Sequence, residues 1–144
     1  MPTARNFFDA REQQMLINAI QLAEESTSGE IRIHLENFCF GNEVNAAKKI
    51  FAKLNMQNTK ERNGVLIYIA TLNKKIAIVG DEGIHEKLGN EYWENAILKL
   101  IHQFHNNRKA EALAECVIEC GHLLGKFFPR GSDDKNELSN ELSY

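Results

Sequence analysis

The chain has 144 residues, 43% of them hydrophobic, and a formal net charge of -3. That is one domain's length with enough apolar mass for a real core, which excludes wholesale disorder. Lys and Arg are spread among Asp and Glu without a basic stripe, so no nucleic-acid surface is expected. No run approaches ~18 apolar residues and residues 1–6 lack an apolar signal core, so no membrane span is expected, and a soluble, non-exported, cytoplasmic protein is.

Asp9 and Glu12 fit a capping box, in which the Asp oxygen accepts a backbone N–H and the Glu reaches back. The helix that follows turns Met15, Leu16, Ala19, Ile20 and Ala23 inward, a spacing of three and four, and Ser26-Thr27-Ser28-Gly29 ends it. Residues 30–36 alternate as a strand: Ile31, Ile33 and Leu35 face the core, while Arg32, His34 and Glu36 face a wetter side. Gly41-Asn42 opens a second helix, with Val44, Ala47, Ile50, Phe51 and Leu54 on its inner face. Residues 65–70 are apolar without alternation, so both faces of that strand should be covered. A two-residue reversal at Asn73-Lys74 then predicts an antiparallel return through residues 76–79.

Asn90 is a cap for a third helix with the stripe Trp93, Ile97, Leu100, Ile101 and Phe104, broken at Asn106-Asn107. A fourth spans residues 110–124 with Leu113, Ala114, Val117, Ile118 and Leu124 inward; Gly125 reads as a left-handed stop, and Pro129 prevents continuation. Residues 1–129 read as the single domain and 130–144 as a polar tail, in which Leu138 and Leu142 allow a short docking turn. The fold class expected is α/β: a three-layer α/β/α sandwich around a small mixed, roughly four-stranded central sheet. The fourth strand would come from Cys39-Phe40 or from the tail, and a monomer is expected.

Cys39, Cys116 and Cys120 make no disulfide framework. Cys116 and Cys120, four apart on one helix face, read either as half a metal site with His122 or as buried thiols. The second is preferred, since His122 points elsewhere and no CxxC partner exists.

An antiparallel return places the start of one strand beside the end of the next. The loops at residues 59–64 and 80–83 should therefore meet at one sheet edge. Between them they carry Glu61, Asn63, Asp81 and Glu82, the oxygen donors that hard cations such as calcium and magnesium prefer. Glu30, at the start of the first strand, either closes the same site or sits on the sheet rim. Glycines 64, 80 and 83 let backbones pass closely. The D-x-D-x-D-G spacing of an EF-hand is absent. The alternative, that these carboxylates are simply solvated, stands beside the metal reading. His85 follows the acidic loop, but zinc would want His or Cys companions there, and a polar residue at a helix entry is the preferred reading. His102 and His105 are read on the wet side of a helix.

Three stretches carry a family likeness. Thr27-Ser28-Gly29-Glu30-Ile31-Arg32-Ile33, Arg62-Asn63-Gly64-Val65-Leu66-Ile67-Tyr68-Ile69 and Val79-Gly80-Asp81-Glu82-Gly83-Ile84 resemble the TPM domain family, over residues 9–129. Phe127-Phe128-Pro129 and Asp134-Lys135-Asn136-Glu137-Leu138 further resemble a bacterial stand-alone branch. The resemblance implies an α/β/α sandwich with two loops crossing at a sheet edge, a crossing able to hold divalent cations, and acid phosphatase activity in some members. Many members carry a signal peptide, an anchor or a Gly-rich tail; this sequence shows none, and Glu91 and Glu94 around Trp93 depart from the common pattern.

Three functions follow as expectations. The first is a divalent-cation-binding regulatory module with calcium or magnesium at Asp81, Glu82, Asn63, Glu61 and Glu30. The second is an acid phosphatase in which Arg62 and Lys60 neutralise phosphate, although no GxxxxGK cradle, C-x5-R loop or D-x-D-x-T/V motif is present and no Ser–His–Asp set can be assigned. The third is an adaptor that binds a protein partner through its polar tail and outer helix faces; Asp134 and Glu137 in that tail can fold back over the loops, but a solvated tail is preferred.

Overall fold

Isoleucine and valine concentrate in three short segments, and these are the strands: β1 Glu30–Glu36, β2 Gly64–Ala70 and β3 Lys75–Gly80. They are part of a computed structural model that describes residues 2–89, 91–104, 108–131 and 138–144. Expectations on Asn90, His105, Asn106, Asn107, Asp134 and Glu137 fall outside the described residues. The helices are α1 Ala10–Glu24, α2 Glu43–Lys53, α3 Glu82–Leu88, α4 Glu91–Phe104 and α5 Lys109–Phe127, with a 3-10 turn at Ala4–Asn6 before α1.

Local signals explain where the helices begin. Glu12 N donates to Asp9 Oδ1 at 2.8 Å and Asp9 N to Glu12 Oε1 at 3.0 Å, completing the capping box. Asn42 caps α2 through Asn45 N at 3.0 Å. Leu16, Ala19, Ile20 and Ala23 of α1 are buried, as the three-and-four spacing requires. On α2 only Ala47 and Phe51 are fully buried; Val44, expected inside, is 40% exposed, because it sits in the first turn, before the helix reaches the sheet.

β2 is the central strand, parallel to β1 and antiparallel to β3. Its pleat divides the core. Val65, Ile67 and Ile69 join Ile31, Ile33 and Leu35 of β1 against α1, α4 and α5. Tyr68 and Ala70 face the α2 side with Ala47, and Leu66 meets Phe51 there. All seven residues of β2 are buried, the expected result for a strand roofed on both faces.

The structure corrects several expectations. The sheet has three strands among the described residues, not four. The tail supplies one bridge beside β1: Ser143 N donates to Ile33 O at 2.9 Å and Leu35 N to Ser143 O at 2.8 Å. The β2–β3 connection has four residues, 71–74, rather than a two-residue turn. Thr71 N and Leu72 N go to Glu36 O and Asn37 O, each at 2.8 Å, so these residues extend the β1 pairing instead of closing a tight hairpin. The acidic loop runs straight into α3, which puts His85 on a helix and adds a helix to the expected element order. α5 continues past Gly125, because the chain keeps its helical bonding to Phe128 N→Leu124 O at 2.7 Å.

His34 is buried rather than wet, because Ser143 covers β1 on that edge. Its Nδ1 lies 2.9 Å from Ser143 Oγ, and burial holds its pKa below the ordinary value. Nε2 lies 3.3 Å from Glu36 Oε1, off the line of a hydrogen bond, and Glu36 also accepts from the Tyr68 hydroxyl. The Ser143–His34–Glu36 run thus resembles a hydrolytic triad in outline, but His34 and Ser143 are both buried. Cys39, Cys116 and Cys120 are free thiols, and burial pushes Cys116 up to about 11. Among the described residues no helix is long and apolar enough to cross a membrane.

Candidate functional site

The antiparallel return of β3 onto β2 brings the two acidic loops together at the Gly64–Gly80 end of the sheet. Asp81 N donates to Gly64 O at 2.9 Å, and Gly83 N to Arg62 O at 2.9 Å. β1 joins the same corner, since Glu30 N donates to Asn63 O at 3.3 Å. Arg62 adopts a left-handed φ of 52°, and Thr59 Oγ1 accepts from Asn63 N at 3.2 Å to close the loop behind it.

Gly83 marks how tight the crossing is. A Cβ there would lie 2.5 Å from Glu61 O and 2.8 Å from Arg62 O, both main-chain atoms that cannot rotate away. Gly83→Ala should therefore cost about 1–3 kcal/mol by overpacking, more than the up to ~1 kcal/mol of helix propensity it gains. A urea melt checks this, and an unchanged midpoint would show that the crossing is looser than its geometry.

Asp81 is buried, with 5% of its side chain exposed, and caps α3 by accepting from Glu82 N at 2.7 Å. Both its oxygens also accept from Arg62: Nε to Oδ2 at 2.8 Å and Nη2 to Oδ1 at 2.9 Å, a fork-to-fork pair. Asp81 and then Glu82 hold the guanidinium charge, so Arg62 is pushed further above its already high pKa. Glu82 lies 3.6 Å from Arg62 Nη1 and is otherwise exposed. The residue expected to neutralise phosphate is thus engaged with Asp81.

Beside that pair lies a second polar group. Ser28 Oγ donates to Glu61 Oε2 at 2.5 Å, and Asn63 Nδ2 donates to Ser28 Oγ at 3.1 Å and to Glu61 Oε2 at 3.3 Å. The serine proton goes to the carboxylate, so its lone pair takes the amide N–H, which fixes which way the Asn63 amide points. Asn63 is 1% exposed, and its Oδ1 is buried without a hydrogen-bond partner. An orphaned buried acceptor costs about 1–3 kcal/mol, so it calls for an explanation.

Glu30 lies deeper. It is 2% exposed, and its carboxyl meets that of Glu24, whose Oε2 accepts from Ile31 N at 2.9 Å. Burial, then the like charge of Glu30, raises Glu24 to about 9, so this carboxyl stays protonated at neutral pH. Glu30 therefore shares its buried corner with Glu24, one layer behind the loop crossing.

Of the five residues proposed as ligands, Asp81, Glu82, Asn63 and Glu61 stand on the two crossing loops, and Glu30 stands behind them. Among the described residues no three carboxylate, imidazole or thiol groups converge as a ready metal cluster. The donors here suit a hard cation in kind: carboxylate, amide and main-chain oxygens, with no soft ligand among them. An ion would have to take Asp81 from Arg62. Sequence reasoning missed Ser28 and Glu24. The Thr-Ser-Gly run before β1 was the signal for the first, while a Glu inside an amphipathic helix gives none for the second.

A family model described as the TPM domain matches residues 3–122. Among solved structures the chain is similar to the BA42 protein from the psychrophilic bacterium Bizionia argentinensis, determined by NMR, at 37% identity and a TM-score of 0.87, covering 95% of this chain and 94% of that one. It is similar in fold to the N-terminal domain of a protein from P. gingivalis, also solved by NMR, at 15% identity and a TM-score of 0.69, covering 84% of this chain and 78% of that one. A comparison with curated proteins finds no match.

Proposed function

Since this chain belongs to the TPM domain family, we propose that its loop crossing binds a divalent cation, calcium or magnesium, as a regulatory module. The observation that carries the reading is Asn63 Oδ1, a buried acceptor oxygen with no donor of its own, on an amide whose nitrogen lies on the Glu61 carboxylate. A cation supplies what that oxygen lacks. Asp81, Asn63 and Glu61 would hold it, with Glu82 and water completing the shell, while Glu30 supports from behind. Arg62 is the resting counter-ion: its guanidinium holds Asp81 until a doubly charged ion replaces it. Binding would then tie β1, β2 and α3 together at one corner, ordering both loops.

At about 100 times the dissociation constant an ion stabilises the fold by roughly 2.7 kcal/mol, or about 5–11 °C in Tm for a chain of this size. Melts in EDTA and in millimolar calcium or magnesium measure this. Asp81→Asn keeps the cap acceptor but should lose most of the shift. Arg62→Gln removes the competing cation and should tighten binding several-fold. Identical melts with and without millimolar ion would end the proposal, and an unaltered isotherm for Asp81→Asn would remove that ligand.

Acid phosphomonoesterase activity is a second reading, favoured by the Ser28 hydroxyl held on the Glu61 carboxylate at 2.5 Å. Ser28→Ala should abolish turnover of a generic phosphomonoester at acid pH; equal rates in the variant and the parent would set the reading aside.

A further inference from the structure

The far end of the sheet holds a cavity with different chemistry. Its volume is about 300 Å3, and it lies where the 71–74 turn faces the end of α4, the start of α5 and the segment before α1. Phe7, Ile76, Ile101 and Phe104 make its walls apolar, and no acidic residue lines it among those described. Two lysines, Lys74 and Lys109, stand on the lining. Neither forms an ion pair among the described residues. Lys109 Nζ instead sits 4.5 Å from the centre of the Phe7 ring, a cation held against an aromatic face at the cavity wall. Thr71 also lines the cavity; it is 4% exposed, and its hydroxyl is buried without a hydrogen-bond partner. Lys74 follows in a left-handed conformation, with φ 54°. For a non-glycine residue that is uncommon backbone.

An apolar chamber of this size with a few converging polar groups has the features of a small-ligand site. Two ammonium groups set the sign of the ligand's charge. The donors also argue against phosphate. No arginine fork lines the cavity, and the Thr71 and Leu72 N–H groups that could cradle phosphate oxygens are spent on Glu36 O and Asn37 O. We infer that this cavity binds a small amphiphilic carboxylate, an acid on a short alkyl or aromatic body. The body fills the space between Phe7, Ile76 and Phe104, and the carboxylate meets Lys74 and Lys109. The inference is independent of the cation site, which lies at the opposite end of β2.

The test is an NMR titration of the whole chain with octanoate and phenylacetate, using octanol and inorganic phosphate as comparators. Saturable amide shifts confined to Thr71, Lys74, Phe7 and their neighbours are expected with either acid, and the shifts at Asp81 and Asn63 should stay small. Octanol and phosphate should bind at least tenfold more weakly. The double substitution Lys74→Ala and Lys109→Ala should raise the Kd at least tenfold at an unchanged melting temperature. If that variant is destabilised, the comparison of octanoate with octanol on the parent protein decides alone. Shifts that never saturate, that spread over the surface, or that are equal for octanoate and octanol would overturn the inference, as would phosphate binding as tightly as the acids.

Discussion

Between pH 4.5 and about 9 the Glu24 proton should make stability fall as pH rises, and Glu24→Gln should remove that contribution. The sign follows from proton counting. Over this window the folded state keeps the Glu24 proton, while an unfolded chain, with Glu24 at its ordinary value, has released it. The folded state binds more protons, so raising the pH favours unfolding. The contribution is complete below the ordinary glutamate range and is lost as pH climbs through the folded pKa. For one proton the slope reaches at most about 1.4 kcal/mol per pH unit, so two units cost a sizeable share of an ordinary domain's ~5–15 kcal/mol.

The cause is spatial. Glu24 is 5% exposed and Glu30 2%, and two adjacent carboxylates in that environment cannot both ionise. The Arg130 charge acts the other way, but weakly enough to rank last among the causes. Glutamine keeps an oxygen for Ile31 N and offers an N–H to Glu30, so the variant should equal the parent near pH 5 and exceed it at high pH. Urea melts across the window measure this. Parallel curves for the two proteins would show that the buried pair does not share a proton.

Replacing Gly121 should damage the contact between α1 and α5. α1 and α5 cross so closely there that a Cβ on residue 121 would lie 2.6 Å from Ala23 Cβ and 2.8 Å from Ala23 Cα and O. Ala gains up to ~1 kcal/mol of helix propensity over Gly in an isolated helix. Overpacking costs about 1–3 kcal/mol and outweighs it, and Val, with two more methyl groups, should do worse. The expected result is a net loss for Gly121→Ala and a fall in Tm of about 2–4 °C for each kcal/mol lost. A midpoint at or above the parent's would mean that α5 can shift away from α1 without disturbing the core.

The elements themselves were readable because their signals are local. The Asp9 capping box, the three-and-four spacing of Leu16, Ala19, Ile20 and Ala23, and the unbroken apolar run of β2 each depend on residues a few positions apart. The convergence of the two loops was readable as well, since an antiparallel strand pair leaves the chain no other place to return. Less was legible about α3, a seven-residue helix hidden inside an acidic Gly-rich stretch, and about the turn at 71–74, whose N–H groups follow β1 rather than each other.

Side-chain partnerships at the candidate site belong to another level. That Arg62 holds Asp81, that Ser28 donates to Glu61 and leaves Asn63 Oδ1 alone, and that Glu30 meets Glu24 all join residues from different segments of the chain. So does the cover of Ser143 over His34, across 109 positions. Composition and periodicity settled most of the helices and strands and the apolar faces of α1 and β2, because those depend on near neighbours. Which charges neutralise each other was decided only by three-dimensional packing, because a carboxylate takes the donor that the fold places within about 3 Å, wherever that donor sits in the chain.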